Sequence, residues 1–305
     1  MSARVTLVTG LLRLLSWLPL PVVHGLGALL GGLFSLLPSH ERRISEQNLR
    51  YCFPELTDRQ RRRLLRRSLI ETGKTMLELA PLWLWDGHKA LGLIREVRGE
   101  QDWQAALQQG RGGIAITPHL GAWELAGLYA SAYYPITTLY RPSRHGLDDL
   151  IRQGRERLGA RTVPTDARGV RALYKSLRAG QVLGILPDQD PDGDAGIFVP
   201  FFGLPTYTMV LLSRLAISAK APVFMIYAER LSFGRGYRLH FIALPEQVSQ
   251  EPLEASVTAV NQAVEQAIRR RPEQYLWSYK RFKSRPPGAP RRYARVKKPK
   301  RLKPD

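Results

Sequence analysis

Two short apolar runs, Gly113-Ile114-Ala115-Ile116-Thr117 and Val182-Leu183-Gly184-Ile185-Leu186, show no alternation of polar and apolar residues. Such runs suit strands buried on both faces, as in a parallel sheet covered by helices. Their surroundings fit. Ile136 to Tyr140, Val223 to Tyr227 and Tyr237 to Leu244 read as further strands. Gly121 to Tyr133, Leu147 to Leu158, Val170 to Leu177, Val210 to Ala219 and Glu254 to Arg270 read as helices. Strands alternating with helices predict a layered α/β fold, with a largely parallel central sheet flanked by helices. The 305 residues suffice for one large domain, and 44% apolar with 24% charged residues excludes overall disorder. A single cysteine, Cys52, excludes an internal disulfide and a multi-cysteine zinc site.

The amino terminus has a different texture. From Val5 to Leu37 the only basic side chains are Arg13 and His24, and there is no acid. One straight helix of that length would be about 50 Å long, more than the roughly 30 Å hydrocarbon core. Pro19 and Pro21 divide it into two apolar pieces, each short for a full span. A bent or tilted span, a hairpin embedded in one leaflet, a cleaved signal peptide and a buried pair of core helices all remain open. Membrane anchoring by an apolar helical segment is the expectation, because apolar sequence resumes after His24 and a strongly basic body suits the cytoplasm.

Charge supports that choice. Lys plus Arg is 46 against 26 Asp plus Glu, a net of +20. Lys280 to Asp305 carries 12 basic residues and one acid, and Arg59 to Arg67 holds six arginines. Beside an apolar segment, such clusters point to an anionic membrane surface before nucleic acid. Thr57 with Gln60 forms a capping box, opening a helix expected to run to about Ala80 with the arginines outward. A plain solvated face accounts equally well for those arginines.

Two motifs follow buried strands. In Thr117-Pro118-His119-Leu120-Gly121-Ala122-Trp123-Glu124, His119 lies where a helix opens, so its ring can fold back toward Glu124. A carboxylate on one ring nitrogen would leave the other as a base. Pro187-Asp188-Gln189-Asp190-Pro191-Asp192-Gly193-Asp194 resembles the start of a calcium loop, but Val199 occupies the position that needs a bidentate Glu. A structural histidine and a polar surface loop are the plain alternatives for these motifs. Phe198 to Gly203 suits a channel wall or, more simply, core.

At these residues the sequence resembles the late acyltransferases of lipid A biosynthesis, within the wider superfamily of His-x4-Asp/Glu glycerolipid acyltransferases. The resemblance includes Asn48-Leu49, Cys52 to Leu56, His119 with Glu124, and Tyr140-Arg141-Pro142. It continues through Gly154-Arg155, Pro187 to Asp190, Phe198 to Gly203, Pro272 to Trp277 and Lys280 to Lys283. It implies transfer of a fatty acyl group from acyl carrier protein to a 3-hydroxyacyl hydroxyl on a Kdo-bearing lipid A precursor. The implied location is the cytoplasmic face of the bacterial inner membrane, with anionic inner-membrane lipids as further partners. It also implies His119 as general base and Glu124 as its orienting carboxylate. Arg141, Arg155, Asp188, Gln189 and Asp190 become substrate-binding residues. No metal or other cofactor is required, and no nucleic acid is expected. Composition and resemblance together divide the chain into an apolar anchor over 1–38, an acyltransferase domain over 39–284 and a basic tail over 285–305, whose Pro, Arg and Lys content reads as disordered and whose end past Tyr293 lies outside the resemblance. The alternatives are a lysoglycerophospholipid acyltransferase and a non-enzymatic membrane tether whose tail binds nucleic acid.

Overall fold

The computed structural model describes residues 3–140 and 146–293. Arg141 and the end of the basic tail, residues 294–305, lie outside the described residues. The chain begins with four helices: α1 (Ala3–Ser16), α2 (Leu20–Leu36), α3 (His40–Cys52) and α4 (Asp58–Leu84). The alternating part follows as α5 (Gly87–Leu91), β1 (Ile94–Arg98), α6 (Glu100–Leu107), β2 (Gly113–Ile116), α7 (Trp123–Tyr133), β3 (Ile136–Tyr140), α8 (Asp148–Glu156), β4 (Arg161–Pro164), α9 (Ala167–Arg178) and β5 (Val182–Ile185). A hairpin, β6 (Gly196–Phe201) and β7 (Leu204–Met209), precedes α10 (Leu211–Ala219), β8 (Val223–Arg230), β9 (Tyr237–Ala243) and α11 (Leu253–Arg270).

Seven strands form one sheet in the order β1-β9-β8-β2-β5-β3-β4. Every pairing is parallel except β8 with β9, and β6 and β7 form a separate antiparallel pair. Every residue of β2 and β5 is buried. Successive residues enter opposite layers. Ile114 and Ile116 join Leu173, Leu215 and Val264, whereas Ala115 joins Trp103, Leu125 and Phe224. Phe201 and Phe202 pack with Phe53, Trp277 and Phe282 in the first of these layers, so these two residues of the Phe198 to Gly203 segment supply core there.

The expected capping box is present. Thr57 N–H donates to Gln60 Oε1 at 2.9 Å, and Gln60 N–H donates to Thr57 Oγ1 at 3.3 Å. The helix passes the expected stop: Pro81 lies inside it, and Trp85 caps it.

The two apolar helices meet at Pro19 and both pack on α4. Close approach is made by glycine. A Cβ at Gly31 would lie 2.2 Å from Leu69 O, and one at Gly73 would lie 2.1 Å from Gly27 O. No helix among the described residues is by itself long and apolar enough to cross a membrane. α2 and α3 together pass that test but bend by 77° at their junction.

A buried ionic network fixes α2 and α4 to the sheet. Glu78 on α4 accepts from His24 Nε2 at 2.9 Å, Tyr237 Oη at 2.7 Å and Arg230 Nε at 2.8 Å. Arg230 also donates to Glu71 and Thr75. Burial pushes the Glu78 carboxyl up, but Arg230 and His24 outweigh it and hold it at about 2. Glu78→Gln should destabilise the protein by about 3–5 kcal/mol, because it leaves Arg230 buried without its principal counter-charge. A shift in urea midpoint measures this. Because the folded value is depressed, this carboxylate's contribution is complete above about pH 4.5 and is lost as pH falls toward 2. The Gln variant should lack that part of the acid dependence.

Residues 285–293 return to α3, where Tyr51 Oη donates to Arg292 O at 2.8 Å and Tyr293 Oη donates to Asn48 Oδ1 at 2.5 Å. Tyr293 provides the aromatic contact that a tail of Pro, Arg and Lys alone would lack.

Candidate active site

The parallel pairing of Ile116 with Ile185 brings together the loops after β2 and β5. Such carboxyl ends are where open α/β sheets present ligand-binding groups. Gly121 gives the first loop its course. Its φ is +62°, and a Cβ there would lie 2.1 Å from Ala228 O. Gly121 N–H donates to Gln274 O, Ala122 N–H to Ala228 O, and Leu276 N–H to His119 O. The Gln274 side chain pairs with both backbone groups of Arg230. The segment Pro272 to Trp277 therefore buttresses the His119 loop.

His119 is gripped by Asp188. One carboxylate oxygen accepts from the His119 backbone N–H at 2.9 Å, and the other lies 2.9 Å from Nδ1. Asp188 is 3% exposed. Burial pushes its carboxyl up, but the His119 ring and its two hydrogen bonds, with Arg281 behind them, hold it below the usual carboxylate range. An ionised partner at Nδ1 selects the tautomer with its proton there and the lone pair on Nε2. The Gln189 amide nitrogen lies 3.1 Å from Nε2, placed to donate to that lone pair. The Trp123 ring stands 5.0 Å from the imidazole.

Glu124 does not make the expected hydrogen bond to His119. Its carboxylate accepts a fork from Arg155 on α8, Nε at 3.0 Å and Nη2 at 2.5 Å. Its place in the first turn of α7 aims it along the sheet toward α8. Burial pushes the Glu124 carboxyl up, but Arg155 outweighs this and holds it low, with a smaller contribution from the His119 charge. Arg155 also stands over the Tyr140 ring, 5.9 Å from its centre.

The remaining site residues divide. Asp190 accepts from the Ser284 backbone N–H and hydroxyl, both at 2.9 Å, and so fastens the carboxyl-terminal segment. Arg141 lies outside the described residues. Asn48 reaches across to the Trp277 and Tyr279 carbonyls, both at 2.7 Å. Under the Glu124–Arg155 pair lies a narrow, mainly apolar slot between α7 and the sheet. Trp123, Gly127, Ala130, Ile136, Leu139 and Gly184 line it. Nothing lies within 4 Å of where a Gly127 Cβ would be. Sequence reading missed this slot, although small residues at 127 and 130, one helical turn apart, were a usable signal. Among the described residues no three His, Cys, Asp or Glu side chains gather as a metal site.

A histidine clamped by a buried carboxylate, with an apolar slot lined by the neighbouring Trp123 and Glu124, is an arrangement able to do general-base chemistry beside an apolar chain. The model of the bacterial lipid A biosynthesis acyltransferase family matches residues 2–284, so the chain belongs to that family and is an acyltransferase. It is 31% identical over 290 residues to the lipid A biosynthesis lauroyltransferase of Escherichia coli K12, covering 93% of this chain and 92% of that one. It is 30% identical over 284 residues to the palmitoleoyltransferase of the same organism, covering 92% and 90%. To that organism's myristoyltransferase it is 28% identical over 283 residues, covering 88% and 83%.

Proposed function

We propose that this chain transfers a fatty acyl group from acyl carrier protein to the hydroxyl of a 3-hydroxyacyl chain on a Kdo-bearing lipid A precursor. The reaction is placed at the cytoplasmic face of the bacterial inner membrane, where anionic lipids attract the basic surface. The clamp of Asp188 on His119 beside the slot carries this reading, and the names of the relatives support lipid A as the class of acceptor.

The acceptor hydroxyl displaces the Gln189 amide from His119 Nε2 and gives up its proton there as its oxygen attacks the thioester carbon. General-base help of this kind is worth about 10²–10⁴ in rate. The C–S bond then breaks, and the departing thiolate takes the proton back from Nε2. Asp188 and, at longer range, Glu124 stabilise the imidazolium formed between these steps. Negative charge on the thioester oxygen needs donors. The N–H groups of Gly121 and Ala122 are already committed to carbonyls. Arg155 spends two of its five N–H donors on Glu124 and keeps the others for an oxyanion or phosphate.

Purified protein given acyl-acyl carrier protein should add one acyl mass to the lipid A precursor in mass spectrometry. Acylation of a lysoglycerophospholipid, with the precursor unchanged, would refute the assignment. The slot is assigned to the acyl chain. Gly127→Phe should therefore lower kcat/KM for long donors relative to short ones by at least about tenfold, read across a donor-length series.

A further inference from the structure

The exposed apolar surface of the amino-terminal helices forms ordered stripes. On α2, Val22, Leu26, Leu29, Leu33 and Leu36 recur at alternating four- and three-residue steps, and all are exposed. Leu7, Leu11 and Leu14 repeat this on α1, and Trp17 between the helices is 80% exposed. A third element joins them. The turn between β8 and β9 carries Phe233, 91% exposed, with φ +59°. A left-handed backbone at a bulky residue is uncommon. The next residue, Gly234, approaches α2 closely: a Cβ there would lie 2.4 Å from Pro21 Cα. The turn is thus pressed against the start of α2, and Phe233 projects beside it.

The opposite side of α2 fixes how this surface can meet a bilayer. α2 runs antiparallel along α4, with His24 beside Glu78, Gly27 beside Lys74, and Gly31 beside Leu69 and Ile70. The middle turns of α2 therefore lie level with the Glu71–Lys74 ion pair and the Glu71–Arg230–Glu78 network. If α2 crossed a bilayer, those charges would lie near its centre, where charged side chains are costly. A helix lying in the interface with one apolar face down avoids this. Residues 3–40 contain no acid, while Arg13 on α1, Arg43 on α3 and Arg235 in the β8–β9 turn are exposed. That charge suits anionic headgroups.

We infer that the protein enters a single leaflet of an anionic membrane, with α1 and α2 lying along the surface and Phe233 as a separate inserting side chain. This rests on the membrane location proposed above and adds depth, orientation and a contact outside the amino terminus.

Nitroxides placed by Val22→Cys, Leu29→Cys, Leu36→Cys and Phe233→Cys in the full-length protein test it on phosphatidylethanolamine–phosphatidylglycerol vesicles. Cys52 is buried, and burial pushes its thiol up, so it stays unlabelled. Collision rates with oxygen and with a water-soluble nickel chelate should place all four labels at one shallow depth. Label 29 near the bilayer centre with 22 and 36 at opposite faces would overturn the one-leaflet arrangement while keeping membrane attachment. Label 233 in water would remove Phe233 from the surface. No vesicle binding would overturn the membrane location itself, and burial of the stripes by self-association would assign the face to a second copy. Independently, Phe233→Asp should weaken vesicle partitioning by about tenfold or more, with turnover on detergent-dispersed substrate unchanged. Unchanged partitioning would refute the role of Phe233.

Discussion

His119→Ala is expected to lower turnover at least about 10³-fold with folding intact, because no other described side chain is placed to take its proton. Asp188→Asn is the sharper companion. It keeps the size of the side chain but removes the charge that selects the Nδ1–H tautomer, so a loss of at least about 10²-fold in kcat is expected. Both are read with purified protein on saturating donor and acceptor, alongside a thermal melt. The result would also separate two carboxylates. If Glu124 were the group that orients the imidazole during turnover, Glu124→Gln would match the loss in His119→Ala while Asp188→Asn remained active. Near-normal turnover in folded His119→Ala would sink the general-base mechanism.

Arg155→Ala is expected to abolish most activity, and Arg155→Lys to recover little of it. The Glu124 carboxylate is held by a planar two-point fork that an ammonium group does not reproduce. The alanine change also leaves Glu124 buried without its partner, so part of the effect should be a lower melting temperature. Combining Glu124→Gln with Arg155→Ala separates the contributions. If the pair only braces the fold, the double variant should recover both stability and turnover relative to Arg155→Ala. If Arg155 also contacts reacting oxygen or phosphate, stability should return without turnover. Full activity in Arg155→Lys would show that the fork is dispensable.

Much of the architecture was legible because it rests on local patterns. The unbroken apolar runs of β2 and β5 announced a sheet covered on both faces, and Thr57 with Gln60 announced the start of α4. The short edge strands β1 and β4 and the β6–β7 hairpin carried no comparable run. The site was harder to read because its pairings are topological. His119 and Asp188 lie 69 positions apart and meet only because β5 inserts beside β2. Proximity in sequence favoured Glu124 instead, and nothing local showed that α8 would bring Arg155 to it. The Glu78–Arg230 pair, separated by 152 positions, was equally hidden. The docking of α2 on α4 had a signal in Gly27 and Gly31, four residues apart, which suit close helix contact whether or not a membrane is present.

The buttress at Pro272 to Trp277 has a consequence for the order in which this enzyme is made. The loop bearing His119 is held by Gln274 and Leu276, and Asp190 closes on Ser284. Those partners leave the ribosome long after the apolar helices α1 and α2. The loop bearing His119 therefore has nothing to rest on until residues 272–276 have been made, although α1 and α2 emerge early. A chain cut short before residue 272 should therefore keep α1 and α2 but lack the support of its His119 loop, and be inactive.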